Sequence, residues 1–252
     1  MRCVADSGRN SLIAIDAHST AIAQPPISTA ESVAPGVSGT GVQVCRLGRV
    51  GYRQAWELQR QMVAARRQHR IPDTLALLSH PPVITMGRGG RSEHLVGSRR
   101  ELSARGVEFV ETDRGGDVTF HGPGQIVGYA IVDLTRRERD LHRYLRDLEE
   151  VVVRALAEFE IEAGRVPGLT GVWAADAKLA AIGVRVSKWI THHGFALNVD
   201  TDLSYFDLIV PCGIADKRVT SMKELLERDV SRDAVEGALA RSFGGVFGSS
   251  AE

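Results

Sequence analysis

Cysteine is scarce in this chain: Cys3, Cys45 and Cys212 are all that 252 residues contain. They are odd in number, far apart and never spaced as CxxC. That excludes a disulfide framework or a structural zinc knot as the organising feature, and a reducing cytoplasm is the expected location. Net charge is absent too. Lys and Arg total 31, and Asp and Glu total 31, so no global field draws in nucleic acid or an anionic membrane. No apolar run is long enough to span a bilayer. The N-terminus lacks a basic stretch followed by a continuous apolar core, so no secretory leader is expected. Internal repeats are missing. Gly87-Arg88-Gly89-Gly90 completes neither a Walker loop nor GxGxxG and carries little weight as a nucleotide site. His192 and His193 are adjacent, which in a regular strand puts them on opposite faces and argues against a shared metal.

The composition that remains, 43% hydrophobic and 25% charged, is that of a soluble globule, with length for one large domain or two small ones. Residues 1–40 are rich in Ala, Ser, Thr, Gly and Pro and lack periodicity; they read as a mobile extension. A single domain is expected over 41–245, with a tail over 246–252.

Within that domain, Gly41 to Cys45 reads as a strand, with Cys45 a small core residue. Gly51 to Gln68 has helical spacing. Thr74 to Leu78 is continuously apolar, as a strand buried on both faces would be. Strands are also expected at 83–86, 107–110, 126–132 and 171–173, and a short helix at 99–106. Asp140 to Glu160 predicts an amphipathic helix capped by Asp140, with Leu141, Tyr144, Leu148, Val152, Ala155 and Phe159 on its apolar side. Residues 178–186 and 191–199 predict neighbouring strands joined through Ser187-Lys188-Trp189-Ile190. Helical patterns follow at 223–227 and 233–243. The mixture is α/β or α+β and alternates too irregularly for a barrel or a doubly wound sheet.

Three stretches carry chemistry. Leu208-Ile209-Val210 is a buried strand or core segment ending in Pro211-Cys212-Gly213. Read alone, Cys212 is a core cysteine near a turn; a nearby base would make it a nucleophile. Lys178 opens the apolar strand Leu179-Ala180-Ala181-Ile182-Gly183. It either snorkels or meets Cys212, where each group alters the other's proton affinity. Arg114 to Gln125 packs glycines and a proline among Arg, Asp, Thr and His. A tight hairpin would also want those glycines, but no simple turn needs both Arg114 and His121, which favours a ligand-binding loop.

Together these motifs resemble the octanoyl/lipoyl transferase family. The residues that carry the likeness are Arg114-Gly-Gly-Asp-Val-Thr-Phe-His121 with Gly122-Pro123-Gly124-Gln125; Lys178-Leu-Ala-Ala-Ile-Gly183; His193-Gly194-Phe195-Ala196-Leu197-Asn198; and Ile209-Val210-Pro211-Cys212-Gly213-Ile214. His80-Pro81-Pro82 matches a further element, and the similarity runs in order over roughly residues 42 to 243. The resemblance implies the lipoate/biotin protein ligase catalytic-domain fold, an α/β mixed sheet flanked by helices. It implies Cys212 as acyl-thioester nucleophile and Lys178 as the partner that lowers its pKa and serves as base. It implies acyl-substrate binding by Arg114, Gly115, Gly116, Asp117, Val118, Thr119, Phe120 and His121, by Ala181, Ile182 and Gly183, and by Gly194, Phe195 and Ala196. Asp117 sits where the family's pattern varies and carries less weight. His80 and His193 are supporting candidates. No metal and no ATP are expected, since the donor brings a thioester on phosphopantetheine.

The implied partners are an octanoyl-acyl carrier protein as donor, with lipoyl domains of 2-oxoacid dehydrogenase complexes and the glycine cleavage H protein as acceptors, acting on a monomer. Val118, Phe120, Ile182 and Phe195 are the expected walls of the C8 slot, and backbone N–H groups near Ile182-Gly183 or Gly213 the oxyanion donors. Arg66-Arg67-Arg70, Arg99-Arg100 and Arg136-Arg137-Arg139 either steer an acidic carrier or are solvated faces. The rivals are an ATP-dependent lipoate ligase on the same fold, a non-catalytic lipoyl-domain binder, and a hydrolase pairing Cys212 with His80, His121 or His193.

Overall fold

The computed structural model describes residues 41–210 and 218–248. The expectations placed on Cys212, Gly213 and Ile214, on Cys3 and on residues 1–40 lie outside the described residues. In chain order the elements are β1 (Val42–Arg49), α1 (Tyr52–Arg67), β2 (Asp73–Ser79), β3 (Val83–Met86), α2 (Arg99–Ala104), β4 (Glu108–Glu111), β5 (Val118–His121), β6 (Gln125–Ile131), α3 (Leu141–Ala157), β7 (Val172–Ala174), β8 (Ala177–Ser187), β9 (Ile190–Asn198), α4 (Met222–Leu226) and α5 (Arg232–Phe247).

Six strands form a mixed sheet in the order β1-β2-β6-β9-β8-β7, and three form a smaller one, β4-β3-β5. Each sheet has one parallel pair, β1 with β2 and β3 with β4. A helix separates the strands of each pair in sequence, α1 and α2, because a parallel pair needs a crossover long enough to return the chain to the same end. Among the described residues no helix is long and apolar enough to cross a membrane.

The unbroken apolar run of β2 is explained by two-sided cover. Leu75 and Leu77 point into the main core with Leu148 and Val152 of α3 and Leu239 and Phe243 of α5. Ala76 and Leu78 point the other way, against Ala55 of α1 and Tyr129 of β6. Alternate residues of a strand face opposite sides, so both sets must be apolar. The Asp140 side chain caps α3 by accepting the backbone N–H groups of His142 and Arg143. Of the expected apolar stripe, Leu141 is exposed because it occupies the helix's first position.

Two alternatives left open by the sequence are decided. The segment before Pro211 is not a strand: Leu203–Leu208 form a 3-10 turn, and Ile209 then bridges Leu95. Leu208 and Ile209 are buried with Ile84, Val118 and Phe120, so the apolar run is a core segment. The loop between β5 and β6 is not a hairpin within one sheet. It passes the chain from the small sheet to the large one, because β5 pairs with β3 while β6 pairs with β2 and β9. Gly124 makes that passage at φ +79, and a Cβ there would lie 2.0 Å from the Asp200 carbonyl oxygen.

Candidate active site

A cavity of about 590 Å³ opens between the two sheets. Its walls come from the stretches the motifs singled out: Arg114, Gly116, Asp117, Val118, Thr119 and His121; Lys178, Ala181, Ile182 and Gly183; His193, Gly194, Phe195 and Ala196. Residues distant in sequence meet because β8 and β9 are neighbours, pairing Ile182 with Phe195 and Gly183 with Gly194, and because the Gly115 N–H donates to the Val184 carbonyl at 2.8 Å. The volume falls within the ordinary range for a small-ligand site.

Lys178 is the second residue of β8 and is 8% exposed. Its Nζ lies 5.4 Å from the centre of the Trp173 ring. Its backbone N–H donates to the Arg218 carbonyl and its carbonyl accepts from Thr220 N–H. The chain therefore re-enters the described structure, after residue 217, against the strand that carries the lysine. Gly171 makes room for the side chain: at φ +130, a Cβ there would be 2.7 Å from Lys178 Cε and 2.7 Å from the Ala180 carbonyl oxygen. Glu149, fully buried in α3, accepts the Gly171 N–H at 3.0 Å. Its charge is met by Arg146 and Arg165.

A buried relay of amides joins three motifs. His121 Nδ1 donates to Gln125 Oε1 at 2.9 Å, Gln125 Nε2 to Asn198 Oδ1 at 2.9 Å, and Asn198 Nδ2 to the Thr220 carbonyl at 3.0 Å. Burial pushes the His121 imidazole well below the usual histidine range, so it is neutral. Sequence reasoning placed Gln125 and Asn198 inside motifs without giving them a role. Their signal was present: amides at the ends of apolar strands need buried partners.

His80 is not at the cavity wall. It is wholly buried, with Nδ1 2.7 Å from the Val50 carbonyl and Nε2 2.8 Å from the Tyr129 hydroxyl. A carbonyl only accepts, so Nδ1 carries the hydrogen and Tyr129 donates to Nε2. Burial lowers the His80 pKa to about 4. Tyr129 and Tyr52 line the cavity, and Tyr52 stacks on His121 with ring centres 5.9 Å apart. Neither tyrosine was expected; nothing local distinguishes them from core aromatics.

Asp117 acts through its neighbours. Its carboxylate accepts the Val118 N–H at 2.7 Å and the Arg91 N–H at 3.3 Å, and pairs with His94 Nδ1. The His94 carbonyl in turn accepts the Val210 N–H at 2.8 Å, while Val96 and Gly97 donate to the Leu208 carbonyl. The glycine-rich loop thus holds the segment that leads into Pro211.

Asp113 gathers both neighbouring histidines. His193 Nε2 donates to its Oδ1 at 2.9 Å, and His192 Nε2 lies 3.6 Å from its Oδ2. The expectation that adjacent histidines point apart fails because His193 has φ +58, which breaks the strand's alternation. The His193 hydrogen bond, reinforced by Arg185, holds the Asp113 carboxyl well below its usual range; burial lowers His193 and takes His192 to about 4.

Three further expectations need correction. Gly115 is not at the cavity surface: its N–H donates to the Val184 carbonyl and its carbonyl accepts from the Arg114 guanidinium. Phe120 is not a wall residue: it stacks on Tyr205 at 4.6 Å and meets Phe206 edge-on, filling the small sheet's core. Arg66 is no part of an exposed basic face. It is 4% exposed and paired with Asp73 at 2.7 Å and Asp133 at 3.5 Å, as a buried guanidinium must be.

The arrangement, a mixed sheet backed by helices, is the catalytic-domain fold shared by lipoate and biotin ligases. A crystal structure of lipoate-protein ligase A bound with ATP superposes with a TM-score of 0.67 at 20% identity, covering 81% of this chain and 84% of that one. A biotin protein ligase from Aquifex aeolicus in complex with biotin and ATP gives 0.51 at 16% identity, over 81% and 69%. At these identities the likeness is one of fold. The chain belongs to the family described as the lipoyl protein ligase A/B catalytic domain, whose model matches residues 51–244. Among its relatives, an octanoyltransferase of Rubrobacter xylanophilus is 53% identical over 203 residues, covering 80% of this chain and 91% of that protein. One of Koribacter versatilis is 51% identical over 211 residues, covering 82% and 84%.

Proposed function

We propose that this chain is an octanoyltransferase, an acyltransferase of lipoate biosynthesis that places an octanoyl group on a lysine of lipoyl domains. The observation that carries the reading is identity at about half of all positions, across four fifths of the chain, with proteins named octanoyltransferase. In this reading the donor is an octanoyl-acyl carrier protein in a reducing cytoplasm, and no nucleotide is consumed.

The chemistry runs in two balanced halves. Cys212 sulfur attacks the donor's thioester carbonyl while Lys178 takes the thiol proton. The tetrahedral intermediate collapses, the carbon–sulfur bond to phosphopantetheine breaks, and the departing thiolate takes that proton back. One thioester replaces another, so the step is nearly neutral in energy. The acceptor amine then attacks the acyl-Cys212 and Lys178 receives the amine proton; as the amide forms, the carbon–sulfur bond to Cys212 breaks and Lys178 returns that proton to the departing Cys212 thiolate. The cavity supports this reading with an apolar slot between Val118, Ile182 and Phe195; each methylene buried there contributes roughly 0.8 kcal/mol.

Intact-mass measurement tests it. With octanoyl-carrier protein the wild type should gain one octanoyl group, located on Cys212 by peptide mapping and discharged by added lipoyl domain. Cys212→Ser should gain none. The second reading, an ATP-dependent lipoate ligase, is favoured only by the shared fold of the ATP-bound ligase. ATP-dependent lipoylation that survives Cys212→Ser would establish it in place of the first.

A further inference from the structure

We infer that Asp113, His192 and His193 form a binding site for a borderline divalent transition-metal ion, of which Zn²⁺ and Co²⁺ are the probes. The inference is independent of the proposed acyl transfer, which needs no metal. One ligand atom from each side chain lies within 4.8 Å of the other two. Tetrahedral Zn²⁺, with donors at about 2.0–2.1 Å, holds those donors about 3.3 Å apart. His193 Nε2 lies 2.9 Å from Asp113 Oδ1 and His192 Nε2 lies 3.6 Å from Oδ2, so the two imidazoles address different oxygens of one carboxylate and the three side chains re-aim at a common centre when an ion binds. Two imidazoles and one carboxylate select Zn²⁺ or Co²⁺ over Mg²⁺ or Ca²⁺, which prefer all-oxygen cages.

The second observation is His192 itself. It is 6% exposed, its Nδ1 has no hydrogen-bond partner among the described residues, and its Nε2 stands beyond hydrogen-bond distance of Asp113. A buried imidazole is ordinarily satisfied through at least one nitrogen. Here Nδ1 is left without a partner among the described residues, and Nε2 faces the Asp113 carboxylate at 3.6 Å, a separation longer than a hydrogen bond and near the spacing of two ligands of one ion. The left-handed backbone at His193 is what turns two consecutive side chains toward one point. Asp113 is a third exposed, leaving a path for the ion and a water for the fourth position. The present counter-charge is Arg185, whose Nε lies 3.2 Å from Asp113 Oδ2 and whose side chain is 33% exposed. That side chain can swing to solvent when an ion arrives, so Arg185 and the ion compete for one carboxylate.

The test is titration of the apo protein with Co²⁺, followed by its visible d–d absorption, and with Zn²⁺, followed by thermal shift. One ion per chain should bind with a tetrahedral spectrum lacking thiolate charge transfer. His192→Gln and Asp113→Asn should each weaken binding by at least about tenfold, while Arg185→Gln should tighten it. Three results would overturn the inference: no saturable binding, a thiolate band that places the ion on cysteine, or affinity unchanged in all three variants although each folds.

Discussion

The carboxylate of Glu149, wholly buried within α3, accepts the backbone N–H of Gly171 at 3.0 Å, and Gly171 is the residue against which the Lys178 side chain lies. A helix on the far side of the sheet thereby sets the position of the proposed base. Glu149→Ala should lower stability by about 1–3 kcal/mol, since Arg146 and Arg165 are partly exposed and regain water while the Gly171 N–H does not. Urea denaturation reads this directly; an unchanged midpoint would remove Glu149 from the account. Gly171→Ala should cost both stability and transfer rate, because its Cβ would meet Lys178 Cε at a φ that only glycine tolerates.

Lys178→Met keeps much of the side chain's apolar length over the Trp173 ring and removes the amine. Transfer to a lipoyl domain should fall by roughly 10²–10⁴-fold, the usual worth of a positioned acid–base group, with the fold retained by circular dichroism. Single-turnover kinetics should show both acylation and deacylation slowed. A variant that transfers at the wild-type rate would leave the proton transfers to another group.

Asp117 and His94 form one latch on the segment leading to Pro211, so their effects should not add. Asp117→Asn and His94→Ala should each slow acylation of Cys212 by about tenfold with little change in acceptor KM. The double variant should be no slower than the worse single, as expected for residues acting through one contact. Simple additivity would show that the two act separately.

His80 makes stability depend on pH. Its folded pKa, about 4, lies below the ordinary 6.5 because burial disfavours the imidazolium. Between those values the unfolded chain binds the extra proton and the folded one does not. Stability is thus full above about pH 6.5 and declines as pH falls toward 4, by roughly 2–4 kcal/mol from this group. His192 adds in the same direction and window. His80→Gln retains an amide able to meet Val50 and Tyr129 but cannot titrate, so its plot of urea midpoint against pH should be flatter than wild type. Parallel curves would assign the acid sensitivity elsewhere.

Much of the fold was legible in the sequence because the signals were local. Continuous apolar residues marked β2 as a strand covered on both faces, 3.6-residue spacing marked α1 and α3, and Asp140 marked a cap. Leu208-Ile209-Val210 stayed ambiguous, because it has strand composition; it follows a 3-10 turn and, among the described residues, makes a single bridge, to Leu95. The motifs at Arg114 to His121, Lys178 to Gly183 and His193 to Ala196 were visible as patterns, and the sheet does assemble them around one cavity. Phe120 was assigned to that cavity by its place in the Arg114–His121 motif and by its hydrophobicity, neither of which says on which side of a strand the pocket lies.

By itself the sequence determined what each segment is, through propensity, periodicity and the chemistry of its side chains, and its motifs already resembled one family of acyltransferases. Tertiary structure decided what touches what. Only the pairing of β8 with β9 joins Ile182 to Phe195; only the amide relay ties His121 to Asn198 and Thr220; only a left-handed backbone at His193 turns two consecutive histidines onto Asp113. Those contacts depend on sheet order and on single dihedral angles, and neither is encoded in the character of residues taken a few at a time.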